Sequence, residues 1–276
     1  MLAGLIGNGI SSSVSPSIHQ TEAKNCGFDL EYRLHDLPID TSTEDLGRFL
    51  KQIEDDGAAG VNVTHPFKRK VMEFLDDISQ DAQAIGAVNT IAFHRGRRIG
   101  HNTDWSGFLD SLQRDLPGAD LDCVAQVGAG GAGAATAYGL LRAGARTLYV
   151  NDVNVDLVEQ LVTQLRSLFP DRIIDIAMDA KTTLKASNGI VQASPIGMTG
   201  HEGLPVPPEF LKPEHWLIDI IYRPRETTLL RSARERGCRT TNGLGMVVAQ
   251  AGLAFEIITG RVPDVDRMRS YLRTIA

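Results

Sequence analysis

The sequence predicts an α/β protein of two domains, the first discontinuous and the second built on a parallel sheet. Three observations predict it. Short apolar runs alternate with amphipathic stretches along the chain, the pattern of strands joined by crossover helices. A glycine cluster, Gly128 to Gly133, falls directly between an apolar run and a helical one. Two helical stretches continue beyond the last apolar run, and they are expected to pack back on the first domain, leaving a cleft between the two.

Residues 2–7 are largely apolar and read as a strand. A helix over 16–26 follows, with Ser15 as its N-cap and Pro16 at the first helical position, where a missing N–H costs nothing. Residues 32–37 form the second strand, 43–55 a helix stopped by Gly57, and 60–64 the third strand. A helix is expected over 66–75, opened by its proline, then a short helix at 80–85. Segments 88–93 and 97–102 pair as a hairpin around Gly96. Residues 105–116 read as a connecting helix ended by Pro117 and Gly118. Strands are then expected at 123–127, 147–151, 173–177, 189–192 and 216–221, with a short extended piece at 239–241. Helices at 132–143, 155–168 and 227–236 lie between them, and helices at 244–259 and 265–274 close the chain. The domains are accordingly 1–105 with 241–276, and 106–240.

The 276 residues hold 34 Asp and Glu against 28 Lys and Arg, a net charge of -6. That balance gives a nucleic-acid partner no electrostatic footing. Cys26, Cys123 and Cys238 are odd in number and far apart, which excludes a disulfide framework and suits a reducing cytosol. The seven histidines show no metal-ligand spacing, so no metal is expected. No apolar run approaches the roughly 20 residues of a membrane span. The opening MLAGLIGNGI lacks the charged start of a signal peptide. A cytoplasmic protein is expected, monomeric or homodimeric.

Gly128, Gly130 and Gly133 match G-x-G-x-x-G in a strand–turn–helix setting. The first glycine allows a tight turn, the second close approach to a pyrophosphate, the third close helix–strand contact. The following helix offers unpaired N–H groups and partial positive charge to phosphate. A Rossmann-type dinucleotide site is therefore expected along Gly128, Ala129, Gly130, Gly131, Ala132 and Gly133. The next strand ends at Asn151 and Asp152. An acid at that distance hydrogen-bonds the adenosine ribose and repels a 2′-phosphate. Val153 and Asn154 follow rather than arginine, so NAD is expected over NADP. A helix cap before Val155 is the alternative role for Asp152.

In the first domain, strand alternation puts Asn62 and Thr64 on one face. Lys68 then falls in the first turn of the expected helix, where a cation opposes the helix dipole. That suits a group that must give up a proton. Asp104 ends the segment 100–104 and is expected to pair with Lys68; a plain N-cap is the alternative.

Seven segments, in this order, resemble the shikimate/quinate dehydrogenase family: Ser13-Val14-Ser15-Pro16, Asn62 to Lys68, Gly86 to Thr90, Asn102-Thr103-Asp104, the glycine turn, Tyr222-x-Pro224, and Gly243 to Met246 with Gln250. The resemblance covers nearly the whole chain and implies a substrate domain followed by a dinucleotide domain. It implies that Ser13 and Ser15 hold a substrate carboxylate, and that Asn62, Thr64, Asn89 and Gln250 bind ring hydroxyls. Lys68 and Asp104 resemble the family's catalytic pair, Tyr222 a residue lining the cleft, and Gly243 and Met246 contacts to the nicotinamide. Taken singly, Ser15 is also an N-cap, Asn89 a turn residue and Gln250 a solvent-facing helix position. The implied activity is reversible NAD(P)-dependent hydride transfer at a ring alcohol of shikimate, quinate or a close analogue. The chain departs from the commonest biosynthetic members, which carry Asn-Arg-Thr where Asn151-Asp152-Val153 stand here. Asp152 is the NAD and quinate-like feature. Ser15, where quinate-preferring relatives can carry Thr, is the shikimate-like one.

Overall fold

The structure, a computed structural model, describes residues 1–177 and 179–275. The chain divides into two compact units, Met1–Thr103 with Val248–Ile275, and Asp104–Val247.

The first unit runs β1 (Leu2–Gly7), α1 (Ser15–Asn25), β2 (Glu31–Asp36), α2 (Thr43–Asp55), β3 (Ala58–Val63), β4 (Asp77–Ile78), α3 (Gln80–Ile85), β5 (Thr90–His94) and β6 (Arg97–His101). Its sheet has the order β2-β1-β3-β5-β6-β4. β1 is parallel to β2 and β3, whereas β5 is antiparallel to β3 and β6. The hairpin between β5 and β6 turns at Arg95 and Gly96, both with positive φ (52° and 74°), the geometry that matches strand twist. In α2, Ser42 caps the helix by accepting from Asp45 N at 3.1 Å. Leu46, Leu50 and Ile53, at i, i+4 and i+7, are buried against the sheet. Each contributes about 1.5–3 kcal/mol of apolar burial.

The second unit runs α4 (Asp104–Asp115), β7 (Cys123–Val127), α5 (Gly131–Arg142), β8 (Thr147–Asn151), α6 (Val155–Leu168), β9 (Ile173–Ile176), α7 (Ala180–Ala186), β10 (Gly189–Gln192), β11 (Trp216–Asp219), α8 (Thr228–Glu235) and β12 (Arg239–Asn242). Every pair in its sheet is parallel, in the order β12-β11-β10-β7-β8-β9. This is the doubly wound order with its topological switch between β7 and β10. α9 (Leu244–Thr259) carries the chain back into the first unit, and α10 (Val265–Ile275) closes it. Glu22 of α1 pins α10. Its buried carboxylate accepts from Arg267 Nη2 at 2.6 Å, Arg267 Nε at 3.0 Å and Asp264 N at 2.8 Å.

Two local expectations fail. No α-helix begins at Pro66: residues 65–69 are turn, followed by a 3-10 segment, Lys70–Phe74. The Lys68 carbonyl accepts from Val88 N at 2.8 Å, and Met72 N bonds Arg69 O instead. The chain thus spends on its neighbour the acceptor that an α-helix would need, and the helix-dipole argument for Lys68 falls with it. Ser15 is not the N-cap of α1. Val14 holds that position without a side-chain cap, and Ser15 is the first helical residue. β4 and α7 are too short for periodicity to reveal.

Among the described residues no helix is long and apolar enough to cross a membrane, and no group of three or more side chains has a metal-binding arrangement. The three cysteines are free thiols.

Candidate active site

In the second unit, β7 runs straight into the glycine turn at the sheet's switch point. Gly128 has φ +110°, and a Cβ there would lie 2.5–2.8 Å from the backbone of Ala193 and Ser194 after β10. A Cβ on Gly133 would collide with Gly128 O, whereas beyond Gly130 the space is open. Gln126, fully buried in β7, braces the turn: its Nε2 donates to Gly128 O (2.9 Å) and Gly133 O (2.8 Å). Its Oε1 accepts from Thr136 Oγ1 of α5 at 2.9 Å. α5 begins at Gly131 behind Gly130 with no side-chain cap, and Ala132 lies in its first turn. Its first N–H groups are the donors that suit a phosphate.

Gly128 N bonds the carbonyl of Asn151 at the end of β8 (2.7 Å). The Asp152 carboxylate lies against the turn, accepting from Ala129 N at 2.7 Å and from Asn154 N at 3.0 Å. Asn154, not Asp152, caps α6 by accepting from Leu157 N. Val153 is 94% exposed, so a carboxylate and an uncharged side chain stand at this rim.

Further along the unit, Asp219 closes β11. Its oxygens accept from Ile221 N (3.1 Å) and Thr227 Oγ1 (2.7 Å), tying down both ends of the segment that carries Tyr222. Burial lifts the Asp219 carboxyl to about 6, against the pull of those two bonds. Burial also raises the Tyr222 phenol. Gly243 presses its backbone on Ile220, where a side chain would collide with the carbonyl. Met246, in the first turn of α9, is buried. Asp104 opens α4 and is buried.

In the first unit, the antiparallel register sets Asn62 of β3 opposite Thr90 of β5. The parallel register sets Tyr32 of β2 beside Ala3 of β1, and Asn62 beside Leu5. Period-2 alternation puts these on one sheet face, so the tyrosine reaches Asn62 over the small Ala3. The Tyr32 hydroxyl donates to Asn62 Oδ1 at 2.8 Å. Asn62 Nδ2 donates to Thr90 Oγ1 at 3.0 Å, and Thr90 Oγ1 to Asn89 Oδ1 at 3.1 Å. Asn89 Nδ2 donates to Thr103 Oγ1 at 2.9 Å, and Thr103 Oγ1 to Gln250 Oε1 of α9 at 3.3 Å. Separately, Ser13 Oγ donates to Ser15 Oγ at 3.1 Å.

The structure thus brings Asn62, Asn89 and Gln250 into one hydrogen-bonded row headed by Tyr32, and Ser13 and Ser15 into a separate bonded pair. Thr64 and Lys68 follow β3 on the adjoining turn, Thr64 N bonding Ile6 O at 2.8 Å. Phe67 and Phe108 are fully buried core residues. Sequence reasoning missed the linkers Tyr32, Thr90 and Thr103, and the braces Gln126 and Asp219. Polar residues inside otherwise apolar strands were the available signal for the last two.

The description "Shikimate dehydrogenase substrate binding domain" matches residues 5–91, and "Shikimate 5'-dehydrogenase C-terminal domain" matches 243–273. A shikimate dehydrogenase (NADP(+)) of Streptomyces avermitilis is 44% identical over 278 residues, covering 100% of this chain and 96% of the relative. A quinate/shikimate dehydrogenase (NAD(+)) of Corynebacterium efficiens is 40% identical over 279 residues, covering 98% and 96%. Among solved structures, quinate dehydrogenase from Corynebacterium glutamicum in complex with NAD superposes with a TM-score of 0.92 at 38% identity, covering 100% and 99%. Identity of this degree over whole chains, on the same fold, is a family relationship: the chain belongs to the shikimate and quinate dehydrogenases.

Proposed function

We propose that this protein catalyses reversible NAD(P)-dependent hydride transfer at a ring secondary alcohol of shikimate, quinate or a close analogue, with NAD preferred. The observation that carries the reading is the row from Tyr32 to Gln250 together with the Ser13–Ser15 pair: neutral donors and acceptors ordered by hydrogen bonds, the chemistry a polyhydroxylated acid requires. Ser13 and Ser15 take the carboxylate; Asn62, Thr64, Asn89 and Gln250 take the hydroxyls; Tyr222 lines the substrate side.

The glycine turn fits a dinucleotide. The open space at Gly130, the tight backbone approach at Gly128 and Gly133, and the uncapped start of α5 together suit a pyrophosphate. Gly128 to Gly133 and Asn151 would hold the phosphates and adenosine side, and Gly243 and Met246 the nicotinamide. When bound, the cofactor supplies the hydride acceptor or donor. Lys68 takes the hydroxyl proton in oxidation and returns it in reduction, with Asp104 as its carboxylate partner. Asp152 favours NAD, because its carboxylate stands at the rim of the turn with no nearby arginine in Val153 or Asn154.

Initial rates with quinate and shikimate against NAD and NADP test the reading. Turnover of at least one acid with higher kcat/KM for NAD is expected; no turnover of either acid overturns it. Lys68→Ala is expected to lose at least about 100-fold in kcat, the lower range of general acid–base catalysis, and near-parent turnover removes Lys68 as proton carrier. Asp152→Ser with Val153→Arg is expected to raise the NADP-to-NAD ratio of kcat/KM about tenfold or more, since it removes a like charge and adds a cation. An unchanged ratio shows that Asp152 does not set the preference.

A further inference from the structure

The row in the first unit has a fixed direction. From Tyr32 to Gln250, the tyrosine hydroxyl gives its proton to its successor, and each threonine hydroxyl accepts one bond from its predecessor and gives its proton to the next. Main-chain groups, which cannot exchange donor for acceptor, set the two amides inside it. Asn62 Nδ2 faces the carbonyl of Asn89 at 3.3 Å, so the nitrogen lies on that side and the oxygen on the side of Tyr32. Thr103 N faces Asn89 Oδ1 at 2.8 Å, so Asn89 presents its oxygen there and its nitrogen to Thr103 Oγ1 and Gln250 Oε1. Gln250 therefore turns its oxygen into the row, and its Nε2 points away from Thr103.

Tyr32 stands at the head of the row. Its hydroxyl donates to Asn62, one of the residues assigned to the ring hydroxyls, at 2.8 Å. The ring is 5% exposed and stacks on His19 with centroids 4.7 Å apart. Packing thus fixes the tyrosine independently of its hydroxyl, and burial keeps the phenol protonated, a donor throughout the neutral range.

We propose that Tyr32 is a positioning residue for substrate: its hydroxyl donates to Asn62 and locks the polarity of that amide, so that Asn62 meets a ring hydroxyl as acceptor. The inference rests on the function proposed above. Tyr32 touches Asn62, not the reacting atoms. Its loss therefore weakens substrate binding more than turnover, and leaves the dinucleotide turn of the other unit alone.

Tyr32→Phe keeps the ring and removes only the hydroxyl. In the full chain, the substrate KM is expected to rise about tenfold, the scale of one lost buried hydrogen bond. The kcat at saturation should stay within about threefold, and the NADH dissociation constant, read by fluorescence titration, within about twofold. Thr90→Val, two links along, is expected to raise KM in the same way, and Thr90→Ser, which keeps the hydroxyl, to recover most of that loss. The double variant Tyr32→Phe with Thr90→Val is expected to lose clearly less than the product of the single losses, because both cut one row. A merely structural role would instead lower thermal stability and weaken cofactor binding together with KM.

An active parent whose Tyr32→Phe variant keeps its KM within about twofold overturns this inference alone. If that variant does not fold, Thr90→Val and Thr90→Ser decide: equal KM values for both overturn it. A parent that turns over neither quinate nor shikimate overturns the functional reading, and this inference with it.

Discussion

His19 makes the first unit acid-labile. The imidazole is 2% exposed, stacked between Tyr32 (4.7 Å) and Phe255 (6.1 Å). Burial lowers it from an ordinary 6.5 to about 4. Between those values the unfolded chain binds a proton that the folded one refuses. The stabilisation is therefore fully present above 6.5 and disappears as the pH falls through 6.5 toward 4. At roughly 1 kcal/mol or slightly more per pH unit, the loss at pH 4.5 is about 2–3 kcal/mol, on the order of a 100-fold drop in protection. Asp219 of the second unit acts in the opposite sense. Its carboxyl is raised from 3.8 to about 6, so the folded state holds the proton more tightly, and its stabilisation is full below 3.8 and lost as pH rises through 6. Hydrogen exchange of β1–β3 amides, corrected for intrinsic rate, reads the first unit. The two tryptophans, Trp105 and Trp216, both lie in the second unit, so their fluorescence reads that one. Acidification from pH 7.5 to 4.5 is expected to strip protection from β1–β3, and His19→Phe to abolish most of that pH dependence. The same acid-induced loss in His19→Phe refutes the assignment.

Glu22→Gln replaces a carboxylate that serves Arg267 and Asp264 N, so an amide nitrogen meets a donor. Arg267 is 40% exposed, which holds the cost to about 2 kcal/mol, below that of a fully buried pair. The expected readout is faster exchange of α10 amides, and unchanged exchange contradicts the pin. Gly133→Ala places a methyl group into Gly128 O. Overpacking of that kind costs about 1–3 kcal/mol. Unfolding followed by tryptophan fluorescence should shift down by several degrees and NADH affinity should fall about tenfold; an unaffected affinity means the turn does not carry the dinucleotide.

The sequence revealed most about elements whose signal is local. Strands β1, β7, β8 and β10 and helices α2, α3, α6 and α9 have the expected bounds, because apolar period and capping chemistry are both written within a few residues. The turn after β3 was misread for the converse reason. Proline before an apolar run is the local mark of a helix start, but the Lys68 carbonyl is claimed by Val88, twenty residues away. No window centred on Pro66 contains that competitor. Ser15 is a similar case: a serine before proline reads as a cap, yet its hydroxyl bonds Ser13 instead.

The candidate site divides along the same line. The glycines, Asp152 and the polar motif residues stand out by type and spacing, since each chemical task restricts the residue that can perform it. The residues that connect them do not. Tyr32 reads as an ordinary strand tyrosine, and Thr90 and Thr103 as the tails of motifs whose asparagines draw the attention. Their importance arises only from register: Asn62 opposite Thr90 across β3 and β5, and Tyr32 two strands away on the same face. Because a one-residue slip would turn any of these side chains to the opposite face, the buried core that fixes the register also fixes the order of donors and acceptors. Core packing under this sheet and substrate recognition on it are thus coupled. A substitution at Ala3, the small residue over which Tyr32 reaches, should be felt first as a weaker hold on the substrate and only second as lost stability.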